Sequence, residues 1–494
     1  MASSISPSPT ILLPHLPPKT LVGIDLITFT STPNFHGIRD LPRGWHFLYT
    51  GTTESLSLRC GGWFYIGDID AFSHHHYHHH QQHKNDATAL VPSSSSLQQS
   101  NSVSDIIIWK WNTDTETLSP LRSANDADKQ EAMRHKANLA AIYQRGGLFS
   151  YRSRVSSFTP TPTPGSGAGA GAGAESGSGG QAARFRLDEE DEEEGRQNWQ
   201  ALTSRLTPRL LDRVVGEPLV DVDGRARWMV TSASTAPRDS DVIPGLMDSA
   251  QAASELERVT GEKESGFGFL MVELKRTWRE GAVGRERTEA AQDRSWALGD
   301  LVGRFAEGDG EAQVLGELQF TFLMVLTLMN YSCLQQWKRL LELVLTCRRA
   351  IRERESFMSD VLRLLLLQLQ RCDDVEGGLF DLDGEEGGEF LRRLLMRFRR
   401  SLYEVVDGAE SVVKTEFENL EAWVKDEYDW ELNRDVFARR GMVQLEDGEE
   451  VELDMHDNDE DDELGEYAPM VVELEGDSTQ DGVDVDVDED EDED

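Results

Sequence analysis

The densest apolar sequence in the chain is EAQVLGELQFTFLMVLTLMNYSCLQQWKRLLELVLTCRRA, which runs from Glu311 to Ala350. Between Leu315 and Met329 the apolar residues cover almost every face at helical spacing, which is typical of a buried helix. The unbroken apolar run is only about ten residues, whereas a membrane span needs about 20. After a turn at Asn330, a second helix has apolar residues on one side and charged residues such as Lys338 and Arg339 on the other, where they suit a solvated face better than a binding patch. The stretch therefore predicts a helical hairpin at the centre of an all-α domain.

Helical patterns flank this hairpin on both sides and predict a C-terminal helical domain over residues 197–440. Thr207 and Pro208 have the residue types of an N-cap and a first helical position. Two short strands are predicted within the same domain, at Trp228 to Thr231 and at Phe267 to Val272. Three helices are predicted after the hairpin, at Phe357 to Arg371, Glu389 to Val406 and Ala409 to Trp430.

The N-terminal residues 10–150 predict a β-rich domain. Short runs of β-branched and aromatic residues alternate with Pro, Gly and Asn, a pattern that suits a small antiparallel sandwich or barrel. A helix from about Asn125 to Gln144 closes the domain. Residues 71–103 contain HHHYHHH and PSSSSLQQSNS, low-complexity sequence that is typical of a disordered insertion. The predicted strands lie in TILLPHLP, TLVGIDLITFT, GWHFLYTG, GGWFYIGD and SDIIIWKWN.

Two further segments are predicted to be disordered. Residues 158–196 combine a Gly- and Pro-rich run with DEEDEEE, and they cannot bury enough apolar surface to offset the entropy of ordering. Residues 441–494 form an acidic tail, interrupted by the apolar and β-prone island YAPMVVELEG from Tyr467 to Gly476. The sequence thus predicts an α+β multidomain protein, with a β-sandwich-like N-terminal domain, an all-α C-terminal domain, a disordered linker and an acidic tail.

The charge and the cysteines limit the classes of function. The chain has 49 Lys and Arg against 90 Asp and Glu, a net charge of −41, and the 49 residues from Glu446 to Asp494 hold 26 acidic residues and no Lys or Arg. Such a chain is a poor nucleic-acid binder, because phosphate neutralisation needs clustered Lys and Arg. No basic and apolar leader precedes the first domain, so secretion is not expected. The cysteines lack CxxC spacing and predict reduced structural thiols; they are Cys60, Cys333, Cys347 and Cys372.

No catalytic or metal-binding motif stands out. The sequence has no P-loop, GxSxG or HExxH motif, and no GxGxxG that opens a helix after a strand. The histidine run between His74 and His83 lies in low-complexity sequence without fixed geometry, so neither a functional metal nor a cofactor is predicted. Asp25, Asp40 and Asp68 are single acids that suit structural or turn roles better than paired-carboxylate catalysis. We therefore predict that the protein is not an enzyme.

The island in the acidic tail is the candidate binding site. An isolated strand leaves backbone donors and acceptors unused, and these can pair with the edge of a sheet in another protein. The candidate partner-binding residues are Tyr467, Ala468, Pro469, Met470, Val471, Val472, Glu473 and Leu474. Two other features keep alternatives open. The acidic run favours solubility or the shielding of a basic partner such as a histone, and the five arginines of LRRLLMRFRR, Leu391 to Arg400, suit either intramolecular neutralisation or an RNA or acidic-partner patch.

Four separated motifs together resemble one family. The first lies between Leu21 and Thr50 and includes GID at Gly23 to Asp25 and HF at His46 and Phe47. The second is RSWALGDLV, the third is LGELQF followed by QWKRLLELV, and the fourth is APMVVEL, Ala468 to Leu474. In this order they resemble the A-one-cistron splicing factor family, the assembly chaperones of the U5 small nuclear ribonucleoprotein (snRNP).

The resemblance carries expectations of its own. It implies a protein that binds the large U5 scaffold protein, a pre-mRNA-processing splicing factor, through the scaffold's RNase H-like and Jab1/MPN-like domains. The tail strand helps to bridge those domains, and the bound factor blocks premature binding of the RNA helicase. The resemblance implies no catalysis and no cofactor. Together with the composition it leads us to expect a monomer of the cytoplasm and nucleus, without direct contact to nucleic acid or membrane.

Overall fold

The structure is a computed structural model. The predicted insertion 71–103, residues 158–177 of the predicted linker, and the tail island from Tyr467 to Gly476 lie outside the residues that it describes. The described residues are 8–51, 58–67, 105–153, 178–239, 266–305, 309–372, 387–406, 410–433, 438–444 and 450–456.

Two sheets form the N-terminal part of the fold. Their strands are β1 (Thr10–Leu12), β2 (Leu21–Ile24), β3 (Ile27–Thr30), β4 (Gly37–Arg39), β5 (Gly44–Gly51), β6 (Arg59–Ile66), β7 (Ile106–Asn112), β8 (Thr117–Pro120), β9 (Leu148–Ser150), β10 (Leu219–Val220) and β11 (Ala226–Thr231).

The two sheets pack face to face, which confirms the predicted β-sandwich-like domain. The first sheet has the order β8-β7-β1-β4-β9 and the second the order β10-β11-β6-β5-β2-β3. A shared core joins them, with Ile11 and Trp109 from the first sheet against Val22 and Phe64 from the second. The expectation of purely antiparallel pairing was wrong, since β1 pairs in parallel with β7 and β4 pairs in parallel with β9.

Helix α1 (Asp126–Gln144) covers the other face of the first sheet, at the position that the sequence predicts. Its N-cap is Asn125, whose side chain accepts a hydrogen bond from the amide of Ala127, as an N-cap residue should. Ala132 and Leu139 bury their side chains in a small core with residues of β1 and β7.

The second sheet recruits strands from beyond residue 150. The predicted strand at Trp228 to Thr231 is present as β11, and it pairs antiparallel with β6 of the N-terminal part. The predicted strand at Phe267 to Val272 was wrong. There the chain is irregular, because single backbone bonds tie it to separate neighbours: the amide of Phe267 donates to Thr235 and that of Gly268 to Val214, each at 2.9 Å.

The C-terminal part is helical, which confirms the predicted fold class. Its apolar core includes the hairpin that the sequence places at its centre. With the segment that leads into it, this part contains α2 (Ser178–Leu202), α3 (Pro208–Val214), α4 (Arg285–Gln292), α5 (Ser295–Gly303), α6 (Gly310–Leu328), α7 (Tyr331–Leu345), α8 (Ala350–Glu353), α9 (Glu355–Gln370), α10 (Gly387–Val406) and α11 (Val412–Tyr428).

The predicted hairpin consists of α6 and α7. Helix α6 is buried on all sides between Gln313 and Leu328, as its apolar sequence requires. It ends in a left-handed residue, Met329, and the side chain of Asn330 caps α7 by accepting a hydrogen bond from the amide of Cys333. The turn predicted at Asn330 is therefore confirmed.

The charged face of α7 differs from its prediction. Arg339 is buried and pairs with Asp239 at 2.6 Å, and Glu342 pairs with Arg294 at 2.7 Å. The loop before residue 239 and the start of α5 cover this face. The prediction that Arg339 is solvated was wrong, because periodicity along one helix cannot show what packs against its polar side.

The arginine-rich helix α10 is neutralised in part by the folded protein itself. Arg392 lies 3.5 Å from Glu389 on the same helix, and Arg399 lies 2.8 Å from Glu421 on α11. Acidic groups of the helical part thus supply partners for two of the arginines, in line with the intramolecular neutralisation that the sequence left open.

Helix α2 covers the last part of segment 158–196, which the sequence predicts to be a flexible linker. Its acidic turn is held by tertiary partners: Glu192 accepts a hydrogen bond from the amide of Ser153 at 2.8 Å, and Glu194 pairs with Arg371 at 2.9 Å. These contacts correct the linker prediction for this part, since composition alone does not register partners that are distant in sequence.

The described residues from 8 to 273 and from 277 to 433 belong to one compact unit. A separate unit contains an antiparallel hairpin of β12 (Ala438–Gln444) and β13 (Glu450–His456). The hairpin lies at the start of segment 441–494, where the sequence predicts an unstructured acidic tail.

In the part of the chain that the structure describes, no helix has both the length and the apolar character needed to cross a membrane.

Candidate functional site at the junction of sheets and helices

The tail strand that the sequence proposes as the binding site is outside the described residues. The other three motifs are described, and two of them, the first motif and the hairpin motif, meet where the second sheet packs against α2 and α6. We define this contact region as the junction. Its side chains determine whether the β-rich and helical parts act as one body.

Two tryptophans bind α2 and the segment that follows it to the second sheet. The indole Nε1 of Trp45 on β5 donates to the carbonyl of Leu206 at 3.0 Å, and Nε1 of Trp199 on α2 donates to the carbonyl of Trp45 at 2.7 Å. Both bonds are buried. Because a buried polar group without a partner is costly, these two bonds hold α2 and the segment that follows it against the sheet.

The sheet also contacts α6 directly. Trp63 on β6 lies 6.0 Å from the ring of Trp199 and 6.3 Å from that of Phe320 on α6, measured between centroids. Towards the C-terminal end of α6, the guanidinium of Arg59 donates to the carbonyl of Thr327 at 2.9 Å. Aromatic packing and a charged hydrogen bond thus join the β-rich part to the central hairpin.

A buried polar hub lies on α6 and is centred on Glu317. Its carboxylate pairs with Arg213 at 2.6 Å and accepts hydrogen bonds from the amide of Leu270 at 2.9 Å and the side chain of Gln336 at 2.8 Å. Burial raises the pKa of Glu317, although Arg213 and the hydrogen bonds oppose the shift. The hub links α3, α6, α7 and the irregular segment around Leu270.

The neighbouring motif residues serve the same junction. The side chain of Gln319 accepts a hydrogen bond from the amide of Arg205 at 2.8 Å and donates to the carbonyl of Ala201 at 2.9 Å. A Cβ on Gly316 would lie 2.8 Å from the carbonyl oxygen of Arg205 and 2.4 Å from a methyl group of Leu210. The Gly, Glu and Gln of LGELQF therefore contact α3 and the segment before it.

In the sequence alone, Glu317 and Gln319 stand out only as interruptions of the apolar pattern. The missed signal was their position: two polar residues and a glycine within one turn of an otherwise apolar helix. A polar side chain at such a site must find a partner in the interior. The same holds for Trp337, whose Nε1 donates to the side chain of Gln368 at 3.0 Å.

The first motif supplies a buried ion pair. His46 lies 2.9 Å from Asp25 through Nδ1 and 2.9 Å from the carbonyl of Pro42 through Nε2. Asp25 also accepts hydrogen bonds from the amide of Phe47 at 2.9 Å and the hydroxyl of Tyr151 at 2.6 Å. Because both neighbours of the imidazole are acceptors, the ring is a donor at both nitrogens and carries a positive charge.

The pKa of His46 reflects these contacts. Burial disfavours the charged ring, but the charge and hydrogen bond of Asp25 outweigh it and raise the pKa above its ordinary value. Asp25 thus has the structural role that the sequence predicts. A cavity of about 210 Å³ adjoins this pair and is lined in part by Trp45, His46, Tyr151 and Trp199.

The polar groups of this region have structural hydrogen bonds. His46 and Asp25 bind each other, the backbone and the hydroxyl of Tyr151. The four cysteines are buried, as structural thiols should be. Burial raises the pKa of Cys333 and of Cys347, which makes them poor nucleophiles.

Among the described residues, one group has the spacing of metal ligands, His15, Glu131 and His135; it lies where α1 meets the first sheet.

Comparison with known proteins gives one family. The family model for the AAR2 N-terminal domain matches residues 7–216, and that for the AAR2 C-terminal repeat region matches residues 269–433. The curated protein called Protein AAR2 homolog from Oryctolagus cuniculus is 27% identical over 152 residues, which is 31% of this chain. The match spans 43% of the length of that relative. Since both domain models match in order on the two parts that meet at the junction, the chain belongs to the AAR2 family, the splicing-factor family that its four motifs resemble.

Proposed function

We propose that this protein is a non-catalytic assembly chaperone of the U5 snRNP in pre-mRNA splicing. The observation that carries the proposal is the match to both AAR2 domain models, over residues 7–216 and 269–433. Membership of this family supports a splicing-related role in U5 assembly. We further propose that the protein works in the cytoplasm and the nucleus, where U5 particles are assembled and used.

The proposed partner is the large U5 scaffold protein, bound through its RNase H-like and Jab1/MPN-like domains. In this mechanism the strand from Tyr467 to Gly476 adds to a sheet of the scaffold, and the bound chaperone keeps the helicase off until assembly is complete. The junction supports a role of this kind. A protein that positions a tail between two domains of a partner benefits from a body whose parts do not move independently.

The proposal of occlusion without catalysis is supported by the site chemistry. The acid and base groups of the junction are tied up in structural bonds, with His46 and Asp25 paired at 2.9 Å and Glu317 paired with Arg213 at 2.6 Å. Such groups hold elements together, and they can act on a substrate only if the fold opens.

Proline substitutions in the tail test strand addition. A strand donates its backbone amides alternately to its two sides, and proline removes one donor. If the tail pairs on one side, either Val471→Pro or Val472→Pro weakens binding much more than the other; if it bridges two sheets, both weaken it. Val485→Pro, in the acidic run, is the matched control. Binding to purified C-terminal domains of the scaffold is measured by titration calorimetry, and unchanged affinity in both variants would refute strand addition.

A second candidate function rests on the acidic run itself. The 26 acidic residues and no Lys or Arg between Glu446 and Asp494 favour a chaperone of histones or other basic proteins. Deletion of residues 476–494 keeps Val471 and Val472 and removes the densest part of the run. The U5 proposal expects scaffold binding to survive this deletion. Loss of histone binding together with a failure of the full chain to bind the scaffold would favour the second function.

A further inference from the structure

Three metal-ligating side chains converge at one surface of the β-rich part. His15 lies in the turn between β1 and β2, and Glu131 and His135 lie one helical turn apart on α1. Nε2 of His15 is 4.0 Å from Oε1 of Glu131, and Nε2 of His135 is 3.6 Å from the same oxygen. All three ligand atoms lie within 4.8 Å of one another.

These distances suit a small transition-metal ion. Tetrahedral Zn²⁺ holds nitrogen and oxygen ligands at about 2.0–2.2 Å, which places neighbouring ligand atoms roughly 3.4 Å apart. The separations of His135 and His15 from Oε1 of Glu131 exceed that value by about 0.2 and 0.6 Å. Rotation of the side chains, above all that of the exposed His15, closes such a gap without movement of the backbone.

The surrounding contacts prepare the carboxylate for a metal. Lys110 on β7 pairs with Oε2 of Glu131 at 2.8 Å, which leaves Oε1 facing the two histidines. Partners that orient a first ligand in this way are typical of metal sites.

Chain geometry also brings the ligands together. Residues four apart on a helix share a face, which places Glu131 and His135 side by side. His15 has a φ of 66°, in the left-handed region that non-glycine residues seldom occupy. The side chain of His15 is 64% exposed and those of Glu131 and His135 are 21% exposed, so the cluster opens to solvent on one side.

We propose that His15, Glu131 and His135 form a Zn²⁺ site with three protein ligands and a fourth position open to solvent. Bound zinc would join the β1–β2 turn to α1 and strengthen the contact between that helix and the first sheet. Three protein ligands with an open position leave room for a water molecule or for a side chain of a bound protein.

The histidine run is the main confounder of a zinc-binding experiment, because seven imidazoles close together in sequence can compete for the metal. The experiment therefore starts from the full chain with the seven histidines between residues 74 and 83 replaced by Asn. Into this background go His15→Asn, which suits a left-handed residue, and His135→Ala, which suits a helix. His36→Ala is the matched control, since His36 is another exposed histidine, directly before β4 of the same sheet.

Zinc affinity and stoichiometry are measured by competition with a chromophoric chelator, and the unfolding midpoint is measured with and without zinc. We expect one zinc per chain in the background and in the His36→Ala variant, with a rise of the midpoint on zinc addition. The double variant, which combines His15→Asn and His135→Ala, should lose at least about 100-fold in zinc affinity. That is the upper end of the loss caused by removal of an outer-shell partner alone. The double variant should also lose the zinc-dependent rise.

Two outcomes overturn the proposal. Absence of one-to-one binding in the background would show a hydrogen-bonded surface cluster without metal function. Equal affinity in the background and the double variant would place the metal elsewhere. Far-ultraviolet circular dichroism of each variant, together with the single His15→Asn variant, separates loss of a ligand from loss of the fold.

Discussion

Gly316 lies where α6 comes closest to the segment before α3, and its replacement by Ala should destabilise the protein. A Cβ there would sit 2.8 Å from the carbonyl oxygen of Arg205 and 2.4 Å from a methyl group of Leu210. The leucine side chain can rotate, but the carbonyl cannot withdraw easily. The amide of Arg205 is held by the side chain of Gln319 at 2.8 Å, so a shift of this backbone also breaks the bond to Gln319.

The magnitude is the balance of two effects. Ala is favoured over Gly in a helix interior by about 1 kcal/mol, whereas forced overpacking of a tight interior costs about 1–3 kcal/mol. Contact with backbone places Gly316 near the upper end of that range, so we expect a net loss of about 2 kcal/mol. Gly299, inside α5, is the matched control. A Cβ there meets only the end of the Arg354 side chain, at 3.9 Å, so Gly299→Ala should stabilise the protein by about 1 kcal/mol.

The two variants are compared by urea unfolding of the full chain, followed by circular dichroism at the helix signal. The expected difference in the free energy of unfolding is about 3 kcal/mol, with opposite signs for the two substitutions. If Gly316→Ala stabilises the protein as much as Gly299→Ala does, the close approach of α6 to Arg205 is refuted. The glycine of LGELQF would then have no role in packing.

Three further predictions address the polar contacts of the fold. Glu317→Leu should cost about 3 kcal/mol in urea unfolding, because it leaves the buried amide of Leu270 without its acceptor and removes the carboxylate that pairs with the half-buried Arg213. Glu418→Leu, at a half-exposed ion pair, should cost under about 1 kcal/mol; equal losses would contradict the hub. The raised pKa of His46 predicts that its pair with Asp25 stabilises the fold fully below about pH 6.5 and that this stability is lost as pH rises through the folded pKa. His46→Gln should flatten that decline in the free energy of unfolding, and an unchanged pH profile would exclude the charged ring. Trp199→Phe should lower stability by about 1–3 kcal/mol through loss of its buried hydrogen bond, and a neutral result in thermal unfolding would show that this hydrogen bond does not stabilise the fold.

Local sequence patterns were sufficient to predict an element when its structure depends on its own residues alone. The all-round apolar residues of α6 predict a buried helix, because no helix keeps that composition at a surface. The capping side chain of Asn125 marks the start of α1 because the orphan amides of a first turn need an acceptor. The four motifs were also sufficient to indicate the family, because they follow one another in the family's order over most of the chain.

Partners distant in sequence decided the rest. The acidic run at residues 188–194 predicts disorder, yet Ser153 and Arg371 bind its glutamates within a helix. Arg339 has the pattern of a surface residue and is buried against Asp239. His15 and Glu131 are separated by 116 positions in sequence and come within 4.0 Å only in the fold. By itself the sequence determined the fold class, the central hairpin and the family, because these depend on periodicity and local motifs. Only the tertiary structure decided which charges pair and which ligands converge, because electrostatic partners and metal ligands are selected by distance in space.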